Sequence, residues 1–405
     1  MNKLKAFYTL FIILILSTSF ITPIFGENIK IGIEPEGFYT TLRVQSFIGK
    51  WQLQLFKHVG SETSVVTEEI QTDEDAVLML IPKGIIVRMS SSDKNLDEGY
   101  DSVRIIGGEL LNLELPQLSP KIIQGKLDVT HDNEKLNIIN TLPIKNYTIS
   151  CASSETITCE PEAVKAQIVV VETKIHYLKN HTRHPKDDYD VCDGQHCIKY
   201  LGIGSNRELI ELLYPTIPLH LLYYKDKIIY PRYHHTCGGK ISSAKDVYGV
   251  NDEPYHISHN DLKDKKGSEN CFHSPSFHWT IEVPISSIAD FLSLEFAGGA
   301  DNVFTNWQPL KVNQEGRILM VRIIGRKIKE IHGIEFLEHL HNFYGINSIK
   351  SLRFTFESLR RSMLFRGMGE GDGVGMCLYG SDGLAKKGLN YKEILEFYYP
   401  GTTLK

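Results

Sequence analysis

The stretch KLDVTHDNEKLNIIN (126–140), followed by PEAVKAQIVVVETKIHYL (161–178), decides the fold class. The first part predicts two strands joined by a turn at Asp132 to Glu134, because short apolar and polar residues alternate on either side of it. In the second part Pro161 suits a first helical position. Apolar residues then recur at steps of four and three, at Val164, Ile168, Val171, Ile175 and Leu178. The sequence therefore predicts a strand pair followed by one long helix. The apolar stripe of this helix faces the core, and its Lys and Glu residues form the solvated side.

The residues before this stretch predict a β-rich N-terminal module at 27–120. Short alternating runs are punctuated by Gly, Asp or Ser, which is typical of strands and turns: IKIGI (29–33), TTLRVQSF (40–47), WQLQLF (51–56), AVLMLI (76–81) and GIIVRM (84–89). No residue type in this module indicates chemistry.

The residues after the long helix mix helices and strands. The pattern predicts a helix from Ser205 with Glu208 as its capping box, a hairpin turning at Asp226, and a capped helix from Asn390 with Glu393. A mixed α/β segment spans about 283–354, with helices near Ile285–Leu294 and at FLEHLHNF (336–343) and a strand at RILMVRII (317–324). Strands and helices do not alternate as in a doubly wound sheet, so we predict an α+β fold with a main domain at 121–405.

The first 26 residues predict export. Lys3 and Lys5 precede an uninterrupted apolar run that begins at Ala6 and includes FYTLFIILIL (7–16), and small and polar residues follow up to Gly26. This is the pattern of a secretory signal cleaved after Gly26, although the run nearly reaches membrane-spanning length and an uncleaved anchor stays open. We expect a periplasmic, wall-associated or extracellular protein whose only membrane contact is through this segment.

Composition excludes some partners. The net charge is −5, and acidic and basic residues are interspersed, so no basic patch indicates nucleic acid and no polybasic segment indicates a membrane surface. Seven cysteines in an exported chain cannot all pair, so at least one is free, bound to metal or joined to another molecule.

The segment HPKDDYDVCDGQHC (184–197) is a candidate metal site. It offers two imidazoles and two thiols, the donors that zinc prefers: His184, Cys192, His196 and Cys197. The spacing is not that of an ordinary zinc finger, and a Cys192–Cys197 disulfide is the alternative in an oxidising compartment. On spacing alone both alternatives stay open, but four protein ligands would fill a tetrahedral shell, so a bound Zn²⁺ would be structural. A zinc hydrolase would need an open position on the metal.

Two further segments are candidates for a binding site. YHHTCGGK (233–240) carries adjacent glycines that suit a tight turn or a close approach of backbone to a ligand, with a hairpin corner as the alternative. GMGEGDGVGMCLYG (367–380) has alternate glycines but lacks the residues of a phosphate loop. We interpret it as a flat strand that a sugar ring or another chain can approach.

Glu155 precedes the long helix, in CASSETITCEPEAVKAQ (151–167). A carboxyl group on a loop at the mouth of a helix can serve as a general acid if its surroundings keep it protonated. On residue type alone, a surface or capping role is the commoner interpretation.

Taken together, the segments resemble the stage II sporulation protein D family (the SpoIID/LytB group) from about Ile122 to the C-terminus. The resemblance is carried by six segments in register: KLDVTHDNEKLNIINTLPIKNYTIS (126–150), Glu155 with EAVKAQ (162–167), DYDVCDGQHC (188–197), YHHTCGGK, SPSFHW (274–279), and DGVGMCLYG (372–380) leading into YKEILEFYYPGTTL (391–404).

The resemblance implies a lytic transglycosylase that cuts peptide-free peptidoglycan strands between N-acetylmuramic acid and N-acetylglucosamine. Glu155 matches the family's catalytic acid/base. His184, Cys192, His196 and Cys197 match the zinc ligands of some members, so the resemblance favours a structural Zn²⁺ over the disulfide. Cys237 and Cys271 lie in matching segments, which allows a disulfide between them. The expected substrate-binding residues are His234, Thr236, Gly238, Gly239, Gly373, Gly375, Met376 and Tyr379.

Four positions depart from the family pattern. Glu172 stands where an Arg is usual, and in the C-terminal motif Asp372 replaces His, Cys377 replaces Ser and Leu378 replaces Gln. Lost polar groups near a sugar-binding groove would weaken substrate orientation. The alternative function, also found in this family, is a non-catalytic wall-binding protein that recruits or stimulates an N-acetylmuramoyl-L-alanine amidase.

Overall fold

A computed structural model describes residues 27–71, 74–90, 95–158, 160–194, 196–218, 220–262, 267–296, 304–345 and 348–405. The predicted signal segment, residues 1–26, and Cys159 lie outside these ranges. Within them, no helix combines the length and the apolar character needed to cross a bilayer.

The N-terminal part is built of strands, as predicted. The first twelve are β1 (Asn28–Ile33), β2 (Thr41–Ile48), β3 (Trp51–Val59), β4 (Glu62–Ile70), β5 (Asp75–Ile81), β6 (Gly84–Met89), β7 (Asn95–Tyr100), β8 (Ser102–Gly107), β9 (Leu110–Glu114), β10 (Lys121–Ile123), β11 (Lys126–His131) and β12 (Leu136–Pro143).

Helices and short strands follow. The helices are α1 (Ile144–Glu155), α2 (Pro161–Asn180), α3 (Arg207–Leu213), α4 (Ala244–Tyr248), α5 (Ile285–Phe296), α6 (Gly333–Tyr344), α7 (Leu378–Lys386) and α8 (Tyr391–Tyr398). The strands are β13 (Val191–Cys192), β14 (Leu222–Tyr224), β15 (Lys227–Ile228), β16 (Tyr233–His234), β17 (Lys240–Ile241), β18 (His259–Asn260), β19 (His278–Pro284), β20 (Phe304–Val312), β21 (Ile318–Gly325), β22 (Ile328–His332), β23 (Phe354–Ser358), β24 (Ser362–Met368), β25 (Met376–Cys377) and β26 (Thr403–Leu404).

Two larger sheets hold all twelve of these N-terminal strands. Their strand orders are β13-β1-β12-β11-β8-β3-β4 and β10-β9-β2-β5-β6-β7. In β12 every second residue is buried, from Leu136 to Leu142, so one face of the strand covers the core. Because β1 lies between β12 and β13, the first strand of the chain shares a sheet with strands that follow residue 121. The boundary at 120/121 stays a prediction.

Helix α2 is the centre of the main domain. The predicted stripe is confirmed, and residues such as Val164 and Ile168 are fully buried. The helix packs against α1, α3, α7 and α8, so its solvated side is narrower than predicted, and Glu172 is buried too. One continuous hydrophobic core runs from Ile29 in β1 to Tyr399 after α8.

The segment 279–365 has a core of its own. Trp307 and Phe336 lie at its centre, with ring centroids 5.0 Å apart, between α5, α6 and the sheets β19-β24-β23 and β20-β21-β22. The helices and the strand predicted here are confirmed. Segregated helices and mostly antiparallel sheets confirm the α+β class.

Local predictions at helix ends had mixed outcomes. Asn390 accepts hydrogen bonds from the backbone N–H groups of Lys392 and Glu393, and Glu393 accepts one from the Asn390 N–H, which confirms that capping box. The box predicted at Ser205 and Glu208 is wrong, because α3 begins one residue later, after Asn206, and no side chain caps it.

The glycine segment after β24 is not the flat strand that we predicted. Its alternate glycines have left-handed φ values of 81°, 97°, 75° and 72°, at Gly369, Gly371, Gly373 and Gly375. A pleated strand needs negative φ at every residue, so the chain here bends at each glycine and makes isolated bridges instead.

Gly375→Ala should destabilise the fold by more than about 3 kcal/mol, because a left-handed φ is combined there with a clash. An added Cβ at this position would lie 1.9 Å from the Arg232 carbonyl oxygen. Gly388 is the matched control, since its φ is 86° and an added Cβ meets nothing within 4 Å. Gly388→Ala should cost only about 1 kcal/mol. The free energies of unfolding in denaturant test this, and equal losses would contradict it.

Candidate functional site

Glu155 is the last residue of helix α1, not a loop residue as we predicted. The sequence of α1 does not predict a helix. The segment is rich in Ser and β-branched residues, which have low helix propensity, and Pro143 provides no side-chain cap. Cys151 and Tyr147, about one and two turns before Glu155, are fully buried. Packing of this face against α2 therefore stabilises a helix that local propensity does not favour.

The carboxylate of Glu155 is half-buried and bonded to a tyrosine. The Tyr233 hydroxyl donates a hydrogen bond to Glu155 Oε2 at 2.6 Å. Burial and the neighbouring Glu155 carboxylate raise the pKa of Tyr233 well above its ordinary value, so the hydroxyl keeps its proton and remains a donor. The ammonium group of Lys174 lies 5.0 Å from the centroid of the Tyr233 ring.

The loop at 202–206 holds the end of α1 in place. The backbone N–H of Gly204 donates to Ser153 Oγ at 3.1 Å, and the Asn206 amide donates to the Thr156 carbonyl at 3.0 Å. An added Cβ on Gly204 would lie 2.4 Å from the Ser153 carbonyl carbon, so the approach requires glycine. Glu155 is thus presented at a rigid helix terminus, which suits an acid/base that must be positioned.

The parallel pair β16–β25 carries a strip of partly exposed polar and aromatic side chains. Tyr233 pairs in register with Met376, and the Tyr379 N–H donates to the His235 carbonyl at 3.2 Å. The Tyr379 ring lies 5.5 Å from the His235 ring and 5.4 Å from the His273 ring, measured between centroids. Aromatic and imidazole groups of this kind can stack on and hydrogen-bond to sugars.

Acidic residues fix these histidines. His273 Nε2 lies 2.5 Å from Asp382 Oδ2, and Thr158, three residues after Glu155, bonds to the same carboxylate. His235 Nδ1 lies 3.6 Å from Glu370 Oε2. Contacts with His235 and Ser276 lower the pKa of Glu370 to about 2, so Glu370 is ionised at neutral pH. The polar strip therefore connects to the chain segment that carries Glu155.

The predicted substrate-binding residues lie mainly beneath this strip. Only Tyr379 is partly exposed, and the other seven are buried: His234, Thr236, Gly238, Gly239, Gly373, Gly375 and Met376. Thr236 Oγ1 is bonded to Ser274 Oγ at 2.6 Å, and His234 Nδ1 to the Val374 carbonyl at 3.0 Å. Direct contact of these residues with substrate stays a prediction. Their packing places them under the exposed side chains of the strip.

Sequence reasoning missed several residues of the strip. Tyr233 and His235 stand in the YHHTCGGK segment, but the pattern did not single them out, and nothing in the sequence links Tyr233 to Glu155 across 78 positions. His273 and Asp382 carried no signal at all. The pairing of β16 with β25, which no local pattern predicts, places Tyr233 and His235 beside the segment that carries Tyr379.

The predicted zinc ligands converge. One ligand atom each from His184, Cys192, His196 and Cys197 lies within 4.8 Å of the others. Cys192 and Cys197 are free, and the separations Cys197 Sγ to His184 Nε2 (3.4 Å) and Cys192 Sγ to His196 Nδ1 (3.8 Å) match the ~3.6 Å edges expected of a tetrahedral zinc shell. These residues could hold a metal ion.

The surroundings of this cluster suit a metal site. A hydrogen bond from the Cys197 thiol lowers the pKa of Cys192 to about 4, which favours the thiolate that zinc binds. His184 Nδ1 lies 3.1 Å from the Asp187 carboxylate, which orients Nε2 toward Cys197. Cys192 belongs to β13, which pairs with β1, so the cluster is joined to the large sheet.

The positions that depart from the family pattern have protein partners. Asp372 Oδ2 accepts from the Tyr248 hydroxyl at 2.5 Å, and Leu378 is buried in the core. Glu172 accepts from the Tyr214 hydroxyl at 2.7 Å and lies 2.7 Å from His220 Nδ1. These replacements therefore belong to the packed fold.

The Glu172–His220 pair predicts a pH-dependent stability. The hydrogen bond to Glu172 raises the pKa of His220 above its ordinary value of about 6.5, so this contribution is present below pH ~6.5 and is lost as pH rises through the raised pKa. Glu172→Gln should cost about 1–3 kcal/mol near pH 6 and less near pH 9. Tyr214→Phe is the control, because its cost should not follow the His220 titration. A pH-independent loss in Glu172→Gln, measured by urea unfolding, would contradict this.

Comparisons with known proteins agree with the motifs. Residues 132–216 match the family described as Stage II sporulation protein. The chain is 26% identical over 301 residues to an uncharacterized protein of Brachyspira hyodysenteriae, covering 69% of this chain and 71% of the relative. It is 23% identical over 347 residues to Stage II sporulation protein D of Bacillus amyloliquefaciens, covering 81% of this chain and 92% of that protein.

A third relative shares a shorter region. The amidase enhancer of Bacillus subtilis is 40% identical over 65 residues, which is 16% of this chain and 9% of that protein. Residues 132–216, which the family model matches, contain Glu155 and the His/Cys cluster. The resemblance drawn from the six motifs is thus confirmed, and this part of the chain is a domain of the Stage II sporulation protein (SpoIID) family.

Proposed function

We propose that the protein is an exported lytic transglycosylase that cleaves peptide-free peptidoglycan strands, with Glu155 as its acid/base. The observation that carries the proposal is the pairing of Glu155, at the end of α1, with the Tyr233 hydroxyl at 2.6 Å, beside a strip of sugar-compatible side chains. The name of the relative from Bacillus amyloliquefaciens supports a role in the same family.

The reaction needs one carboxyl group. The Glu155 acid protonates the glycosidic oxygen between N-acetylmuramic acid and N-acetylglucosamine, and the C1–O bond breaks. As a carboxylate it then accepts the proton of the C6 hydroxyl, whose oxygen attacks C1 and closes the 1,6-anhydro ring. Water is not consumed and the proton returns to Glu155, so a second carboxylate is unnecessary, unlike in most glycosidases.

Tyr233 and Lys174 would assist these two steps. A hydrogen bond from Tyr233 to Oε2 fixes the carboxyl group and strengthens when Glu155 becomes ionised. The ammonium of Lys174 supplies positive potential on the same side, over the Tyr233 ring. Tyr379, His235 and His273 would bind the glycan, because they present rings and polar nitrogens along one strip.

The His184 cluster would hold a structural zinc ion. When bound, the ion supplies no reacting group, since four protein donors complete its tetrahedral shell. Its role is to fix the 184–197 loop against β1. We therefore do not assign zinc-dependent hydrolysis to this chain.

The second candidate function is a non-catalytic wall protein that stimulates an amidase. The 65-residue match to a protein named Amidase enhancer favours it, and so do Asp372 and Leu378, which are occupied by protein contacts. Such a protein would keep the polar strip for glycan binding and would not depend on Glu155.

The test incubates the chain without residues 1–26 with peptide-free glycan strands and identifies products by mass spectrometry. Fragments ending in 1,6-anhydro-N-acetylmuramic acid are expected, whereas reducing ends would mean hydrolysis and would overturn the mechanism. A folded protein that binds the strands without cleaving them, and accelerates a wall amidase, would establish the second function instead.

A further inference from the structure

We propose that the protein holds a second structural zinc ion, bound by Cys237, Asp261, Cys271 and Cys377. One ligand atom from each of these residues lies within 4.8 Å of the others. The four come from separate segments, since Cys377 is 140 positions from Cys237. Their meeting is a property of the tertiary fold and of no local motif.

Burial is the first argument. Each of the four side chains belongs to a residue with 0% exposure. Asp261 Oδ1 accepts hydrogen bonds from Tyr398 (2.9 Å) and Asn270 (3.0 Å), both neutral donors, while Oδ2 faces Cys237 Sγ at 3.1 Å. A bound cation would balance a buried charge that is otherwise costly.

The backbone around the sulfurs is the second argument. The N–H of Gly239 donates to Cys237 Sγ at 3.2 Å, and the N–H groups of Cys237 and Gly380 donate to Cys377 Sγ at 3.3 and 3.2 Å. Amide donors directed at sulfur stabilise a thiolate more than a thiol, as in metal–thiolate centres. Cys377 also caps the N-terminus of α7, where the helix dipole favours negative charge.

A buried arginine beside the cluster is the third argument. Arg317 is 1% exposed, and its Nη2 donates to the carbonyl oxygen of Cys237 at 2.9 Å. Its Nε and Nη1 find no hydrogen-bond partner among the described residues. A buried guanidinium needs a nearby anion, and a zinc ion with three thiolates and one carboxylate carries a net charge of −2.

The distances between the donor atoms favour a metal ion over the competing disulfide. The Cys237 and Cys271 sulfurs are free thiols 3.4 Å apart, so the disulfide that the resemblance allows is not formed. This separation is close to the ~3.7 Å expected between two sulfurs on one tetrahedral zinc. A disulfide would use only two of the four groups and leave the Cys377 thiol and the Asp261 carboxylate unexplained.

The second zinc site lies where a metal ion would stabilise the two strands beneath the polar strip. Cys237 lies three residues after the end of β16 and Cys377 is the last residue of β25, so one ion would connect both strands from beneath. These strands carry Tyr233, and Tyr379 follows two residues after Cys377. The inference rests on the ligand geometry alone and does not depend on the proposed activity.

The experiment counts metal in protein purified under reducing, chelator-free conditions. Elemental mass spectrometry should find two zinc ions per chain in the wild type, and one in Cys271→Ser and in Asp261→Asn. Cys151→Ser is the matched control, because Cys151 is equally buried but lies outside both clusters, and it should keep two. A zinc content that Cys271→Ser and Asp261→Asn do not lower below that of the wild type, or another metal in place of zinc, would overturn the proposal.

A second measurement does not depend on the variants' folding. X-ray absorption at the zinc edge of the wild type should give about 2.5 sulfur ligands per zinc, the mean of two in the first cluster and three in the second. A value of about two, or peptide mapping that recovers a Cys237–Cys271 disulfide, would refute the second site.

Discussion

Glu155→Gln should reduce the formation of 1,6-anhydro ends by at least ~10³-fold, while the protein remains folded and binds glycan strands. General acid–base catalysis typically contributes 10²–10⁴-fold, and here one carboxyl group serves both the protonation and the ring closure. An amide has nearly the same shape as the acid but can neither donate nor accept the reacting proton. The effect should therefore appear in kcat rather than in strand binding.

The matched control for this change is Glu160→Gln. Glu160 is also half-buried and lies immediately before α2, but it does not contact Tyr233. It should retain the wild-type rate. If Glu155→Gln retained it too, with unchanged products, Glu155 would not be the acid/base and the proposed mechanism would fail.

Tyr233→Phe tests whether Tyr233 positions the Glu155 carboxyl group without itself transferring a proton. Removing one hydrogen bond to a charged group costs about 1.5–3 kcal/mol, so kcat should fall about 10- to 100-fold while KM changes little. Because the Tyr233 hydroxyl holds the Glu155 carboxyl group in place, its loss should lower kcat without weakening strand binding. A change in stability with kcat and KM both unchanged would mean that Tyr233 has only a structural role.

Loss of the His184 cluster should produce the largest change in stability. His184→Ala should release one zinc ion per chain and lower the free energy of unfolding by at least ~3 kcal/mol, because small zinc sites bind with about 10–16 kcal/mol and the surrounding fold retains only part of the structure without metal. Elemental analysis and calorimetry measure the two effects.

His181→Ala is the control for this variant. His181 lies three residues earlier at the end of α2, its Nδ1 contacts the Tyr177 carbonyl, and it is outside the cluster. Its replacement should leave the zinc content unchanged. Equal zinc content in the His184 variant and the wild type would show that this cluster does not hold the ion.

Local patterns predicted the elements whose own residues specify them. Helix α2 has a regular apolar stripe, and the helix at Tyr391 has both members of its capping box, so each could be recognised without its neighbours. Helix α1 could not, because its Ser-rich and β-branched residues disfavour a helix that only packing against α2 stabilises. The glycine segment was misread for a related reason, since alternation in sequence does not reveal the sign of φ.

The candidate site divides in the same way. The four His and Cys residues at 184–197 were named from sequence, because clustered soft donors are visible in a short segment. Glu155 was named through the family resemblance, because a lone carboxyl group beside a helix more commonly has a surface or capping role. The Tyr233 partner of Glu155, 78 positions away, was not visible.

By itself the sequence determined the α+β class, the long central helix, the His and Cys donors at 184–197 and the resemblance to the SpoIID family, because short contiguous segments specify each of them. Only the tertiary structure decided which groups meet across the chain: Tyr233 with Glu155, His273 with Asp382, and Cys237, Asp261, Cys271 and Cys377 around one point. Their proximity is set by strand pairing and helix packing, whose free energy is distributed over a core that runs from Ile29 to Tyr399 and is encoded in no single segment.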